Sequence, residues 1–110
     1  MSIRQLLFPL ASLLAVLSVA AKTSDPPVDA ALAETMTTMH RGMHDAKLTG
    51  KPDIDFARLM IPHHQGAVDM AKVELLFGTD ARLRRLAQEI IVTQSSEIQL
   101  MQRILRESNE

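Results

Sequence analysis

A chain of 110 residues with net charge −1, no cysteine, no tryptophan, no tyrosine and three phenylalanines excludes several protein classes. It has no disulfide framework, no cysteine to carry a lipid, and neither the basic patch nor the aromatic residues on which nucleic-acid bases stack. Its one compositional excess is methionine, seven residues of it, six of them beyond Met1.

The chain opens on the features of a secretory signal peptide over residues 1–21. Arg4 supplies the positive start, Leu6 to Ala20 the apolar stretch, and Ser18-Val19-Ala20 or Val19-Ala20-Ala21 the small-residue cleavage site. The alternative, a membrane anchor, suits the run less well, because a spanning helix needs about 20 apolar residues and KTSDPP follows at once. The expectation is a periplasmic or secreted protein with no membrane attachment after cleavage. Residues 22–28 form a polar, proline-bearing linker. About 90 residues then remain, enough for one small domain with a thin core.

That domain, residues 29–107, is predicted to be all-α. A first helix is expected over about 29–47. Gly50 and Pro52 break it, and Asp53 is the expected cap of a second helix over about 53–77. Gly78-Thr79-Asp80 is a stop and restart, with Thr79 or Asp80 capping a third helix over about 80–106. No strand alternation and no repeat is present. Short connections between long helices predict antiparallel neighbours, hence an up-down-up helical bundle.

On a wheel of about 100° per residue, Met36, Met39, His40, Met43 and His44 share one face of the first helix, and His40 and His44 stand one turn apart. A methionine-filled core stripe with histidines at its border would give the same pattern. On the second helix Phe56, Met60, Ala67, Ala71 and Leu75 lie near one line. His64 sits close to it, and His63, Met70 and Glu74 lie on its flank. Pro62 falls on the opposite side, which is expected to face solvent. The third helix places Gln94 and Glu97 among Leu86, Ala87, Ile90, Ile98 and Met101. A carboxylate taken from water without a partner is costly, so the histidines of the second helix are its expected partners. Such a pairing would fix the orientation of the other ring nitrogen. A polar layer that sets the register of the bundle is the equal alternative.

Thioether and imidazole without thiolate suit a soft monovalent ion, Cu(I), with Ag(I) as its mimic. Zinc would be better served by cysteine or more carboxylates. The Glu-x-x-His pairs of a di-iron bundle are missing, His-Glu-x-x-His is missing, and no serine stands in a nucleophile context. A non-enzymatic metal-binding protein is therefore expected. Its candidate ligands are Met36, Met39, His40, Met43, His44, Met60, His63, His64, Met70 and Met101, supported by Gln94 and Glu97. A structural or partner-binding bundle without metal is the alternative. Which ligands share an ion stays open.

The block MIPHHQGAVDMA, Met60 to Ala71, with LAQEIIVTQSSEIQLM downstream, resembles a ferritin-like family of exported bacterial proteins catalogued as a domain of unknown function. It is similar also to a periplasmic copper-binding protein. The likeness covers about residues 53–105 well, and Met36, Met39 and Met43 match the methionine-spaced helix that precedes the block in the family. It implies a ferritin-like helical fold, export and, for some members, copper binding linked to copper tolerance as a Cu(I) buffer or chaperone. The chain departs from the pattern in two ways. Arg103-Ile104-Leu105 stands where a tryptophan is usual, and there are three helices rather than four. A homodimer and a periplasmic copper-handling partner are both compatible with these departures.

Overall fold

The computed structural model describes residues 27–108. The predicted signal peptide and residues 22–26 of the predicted linker lie outside the described residues. Three helices fill the rest: α1 (Val28–His44), α2 (Pro52–Phe77) and α3 (Ala81–Glu107). No helix among the described residues is long and apolar enough to cross a membrane.

The helices start and stop for local reasons, two of them unlike the expectation. α1 ends at His44 rather than near 47, with Asp45 as its last, still helical, cap residue. The Ala46 amide closes a tighter turn onto the Met43 carbonyl at 3.3 Å. The chain is then tied down by Asp55, not Asp53. Asp55 accepts from the Thr49 amide at 2.7 Å, the Thr49 hydroxyl at 2.8 Å and the Gly50 amide at 2.8 Å. These bonds, the Thr49 amide first, hold its carboxyl below the usual carboxylate range. Gly50 has φ +82°, a left-handed conformation that favours glycine. Lys51, at the cap position, makes no side-chain cap bond, and Pro52 opens the helix where its missing N–H costs nothing.

The second junction is tighter. Asp80 caps α3 by accepting from the amides of Arg82 at 2.8 Å and Leu83 at 3.4 Å. Its other oxygen takes the Arg82 guanidinium at 2.7 Å. That guanidinium, ahead of the Arg82 amide, lowers the Asp80 carboxyl to about 2. Arg84 donates to the carbonyls of Leu75 at 2.8 Å and Gly78 at 3.0 Å, which would otherwise be orphaned at the end of α2.

α2 is the middle of the domain. It packs against α1 and against α3, while no Cα of α1 lies within 8 Å of one in α3. The two contacts lie on opposite sides of α2. Against α1 the backbones come very close: a Cβ on Gly42 would stand 2.7 Å from Pro62 Cβ, and one on Gly66 would stand 2.7 Å from Met39 Sδ. Pro62 is therefore not on a solvent side. Its ring fills the space left by Gly42, and it is partly buried. Against α3, Ala57, Ile98 and Met101 form a buried cluster, with Met60, Ile61 and Leu105 packed onto it. The buried hydrophobics are mostly small, and no large side chain is fully buried. The bundle is an open layer of three helices.

Two outcomes follow. Replacing Gly42 by Ala forces a methyl into the rigid proline ring, and the helices must part. Overpacking of this kind costs roughly 1–3 kcal/mol, partly offset by the better helix propensity of alanine. A net loss of about 1 kcal/mol, roughly 4–8 °C in Tm for a domain this size, should appear in a thermal melt. Acid should destabilise the protein through Asp80. Its folded pKa lies below the unfolded value, so the stability it contributes is present above about pH 4 and lost as pH falls toward about 2. Asp80→Asn keeps a cap acceptor and should flatten that acid limb in urea melts run between pH 2 and 6.

Candidate functional site

The seam between α2 and α3 holds the tightest grouping of the expected residues. His64 and Glu97 meet across it, Nε2 to Oε2 at 2.8 Å. The His64 side chain is 15% exposed and that of Glu97 49%. The imidazole therefore lies inside the seam and the carboxylate at its rim. Glu97 is thus not taken from water as expected, and the contact answers the burial of the imidazole rather than of the carboxylate. With Nε2 engaged, His64 Nδ1 is left buried and without a partner, and so is Gln94 Oε1. Orphaned buried acceptors or donors are uncommon, because each forfeits its hydration.

Antiparallel packing sets what stands next to this pair. One turn back along α2 from His64 is Met60. One turn forward along α3 from Glu97 is Met101. The two directions coincide in an antiparallel pair, so both thioethers fall on the same side of the His64–Glu97 contact. Met101 is buried, and Met60 packs onto the cluster that contains it. His63 is exposed, with its ring 6.0 Å from that of His64 and tilted by 59°. Met70, two turns further along α2, lines both grooves that flank the helix. One is about 250 Å³, with Leu83, Leu86 and Ile90 of α3 on its far wall. The other, about 170 Å³, has Val28 and Leu32 of α1.

The α1 residues are divided from this grouping by α2. Met39 packs on Gly66, on the side of α2 turned away from the His64–Glu97 contact. Met43 is half-buried, while Met36 and His40 are exposed. His44 does not look inward: its side chain is 89% exposed and Nδ1 stands 3.1 Å from Asp45 Oδ1. The expectation of one face carrying Met36, Met39, His40, Met43 and His44 into the bundle is thus corrected. α1 is in contact along a single narrow strip, because Gly42 and Gly66 bring it so near to α2 that residues a third of a turn away clear the interface. The ten expected ligands are spread over two seams. Among the described residues, no three of the His, Asp and Glu side chains converge as an ion site.

Glu74 is the functional-looking residue that periodicity alone undervalues. It lines both grooves beside Met70, is half-buried, and its carboxylate has no hydrogen-bond or ion-pair partner among the described residues.

Residues 10–105 match the family model DUF305, a domain of unknown function. The match begins within the stretch expected to be a signal peptide. Over 55 residues the chain is 40% identical to the uncharacterized protein L153 of Acanthamoeba polyphaga mimivirus. That segment is 50% of this chain and 36% of the viral protein, so the chain spans well under two thirds of that relative.

The His64–Glu97 contact should be measurable as coupling. In a double-mutant cycle built from His64→Ala and Glu97→Ala, the interaction energy should be about 1 kcal/mol in urea unfolding, the net worth of a hydrogen bond that spans a half-exposed rim. Additive single effects would show that the two side chains do not interact in solution.

Proposed function

Since the chain belongs to the DUF305 family, whose function is unknown, we propose a function from the site itself: binding of a soft monovalent metal ion, Cu(I), by imidazole and thioether groups, in the role of a buffer or carrier. The observation that carries this reading is the buried, unpartnered Nδ1 of His64. Its ring is held by Glu97 on the other nitrogen, the arrangement by which a second group fixes the tautomer and direction of a metal-binding imidazole. Met60 and Met101, one turn away on either helix, would add neutral sulfur donors. Gln94, whose amide oxygen is buried without a partner among the described residues, stands one turn from Glu97 on the side away from Met101 and would offer the pair a polar neighbour there.

The donor chemistry fits the ion. Thioether sulfur selects Cu(I) over harder cations, and it stays neutral, so a Cu(I) complex of imidazole and thioether keeps a single positive charge in a thin apolar core. The absence of cysteine from the whole chain leaves no thiol to oxidise. The motif's likeness to that of the periplasmic copper-binding protein CopM points the same way, as does the signal-peptide pattern of residues 1–21, which would put the protein outside the cytoplasm. Met36, Met39 and Met43 form a separate sulfur row on α1 that would serve as a weaker, more exposed acceptor.

A second reading rests on the same contact. His64, Glu97 and Gln94 would form a polar layer that fixes the register of α2 against α3 and binds no metal. The two readings separate on sulfur. Met60→Leu and Met101→Leu keep volume and apolar character, so stability should change by less than about 1.5 kcal/mol. In an anaerobic titration of Cu(I) against a chromophoric chelator, the double variant and His64→Gln should each bind more weakly by about tenfold or more. Unchanged competition by these variants, or a parent protein unable to take micromolar Cu(I) from the chelator, would leave the register reading standing.

A further inference from the structure

α2 meets α1 on one side and α3 on the other, and a third stripe of it meets neither squarely. Phe56, His63, Met70 and Phe77 step by seven along this stripe, and Met60, Ala67 and Glu74 stand four residues after the first three. Alternating steps of four and three make a helix–helix seam. Yet Phe56 is 62% exposed, His63 is exposed, and the stripe forms the ridge between the two grooves beside Met70 and Glu74. The neighbouring helices continue the apolar surface. Leu32 of α1 and Leu83 and Leu86 of α3 are large, exposed, and line these grooves. The opposite face of α2 carries Arg58, Gln65, Asp69 and Lys72, with the exposed Leu76 near its end, so that face is mostly polar and this one mostly apolar.

Two observations say what covers the bare face. The half-buried Glu74 carboxylate lies against Gly78 at the end of α2 and has no hydrogen-bond or ion-pair partner among the described residues, so a donor on the occupant would find an acceptor there. Leu6 to Ala20, the most apolar stretch outside the described helices, offers the hydroxyls of Ser12 and Ser18 but no cation or imidazole to pair with a carboxylate. The centre of the stripe itself supplies one. His63 precedes Ala67 by four residues, and Met70 precedes Glu74 by four. Turned end for end about the point midway between Ala67 and Met70, the stripe lays His63 over Glu74 and Ala67 over Met70. Imidazole meets carboxylate, and a long side chain meets a short one.

We propose that the bare face binds a second copy of this chain, α2 against α2 and antiparallel about a twofold axis, with His63 of each copy donating to Glu74 of its partner. Such an interface is self-complementary, as closed dimers require, and it covers the apolar grooves of both copies at once. The pairing needs no metal, and its test is run in chelator so that it stands or falls apart from Cu(I) binding.

Sedimentation of the protein purified from cells expressing the full chain should give a dimer. Glu74→Lys and His63→Glu should each weaken it by about tenfold or more in Kd, and the two together should restore it, because the pairing is then reversed in sign. Unchanged circular dichroism would show that each variant is folded. The lack of native cysteine allows a second measurement: a short bis-maleimide should link two copies of Ala67→Cys and not two copies of Lys72→Cys, which lies on the polar face. A monomer at every concentration, including one whose own residues 1–26 shield the face, would overturn the proposal. So would a dimer indifferent to both charge reversals, or equal cross-linking at both positions.

Discussion

A helix with neighbours on opposite sides must offer each of them a surface that suits it, and α2 does so by opposite means. Toward α1 it is cut away. Gly66 admits Met39, and Pro62 occupies the hollow at Gly42, so the two backbones run close and little side-chain volume lies between them. Toward α3 it is filled, with Ala57 and Met60 meeting Ile98 and Met101. The close approach on one side explains why α1 buries only a strip of itself and leaves Met36, His40 and His44 in water. The filled seam on the other side explains why the His64 imidazole is buried and takes its partner from Glu97 at the rim. The distribution of the methionines and histidines follows from this asymmetry.

The elements were legible where their signals are local. Gly50 with Pro52, and Gly78 with Asp80, mark both junctions within a few residues, and Asp80 caps α3 as a polar residue at that place should. The end of α1 was not legible in this way. It is decided by Asp55, whose carboxylate reaches back six residues to Thr49, and a window that scans for breakers assigns no such reach to an acid inside the next helix. Pro62 was placed on the wrong side for a related reason. A wheel identifies the most apolar direction of a helix and treats its opposite as solvent, whereas α2 has a neighbour there too, held by a glycine rather than by an apolar residue.

The candidate site was legible in part. The pairing of Glu97 with a histidine on α2 is there, to His64 at 2.8 Å, but the desolvation that suggested it falls on the imidazole, since the carboxylate is 49% exposed. Which methionines stand beside it does not follow. Thioether sulfur is apolar enough to fill a core and soft enough to hold copper, so composition and spacing read identically for Met39, which packs on Gly66, and for Met101, which lies one turn from Glu97. Only the order of the helices separates them, and that order depends on which faces of α2 are taken.

Three helices in a layer cannot enclose a core, because each end helix has one neighbour and the middle one keeps two sides open. Here one of those sides is mostly polar and the other carries the seven-residue repeat of Phe56, His63, Met70 and Phe77. Leaving that repeat in water would forfeit apolar burial on every turn, at about 25 cal/mol for each Å², in a domain whose buried residues are few and mostly small. The donor-bearing seam opens toward the same side, since Glu97, at its rim, lines a groove with Leu86 and Ile90. A partner that covered the apolar face would therefore also cover the rim of the His64–Glu97 seam. Any ligand that favoured the covered seam would then be linked to pairing, and its affinity would depend on the concentration of the protein itself.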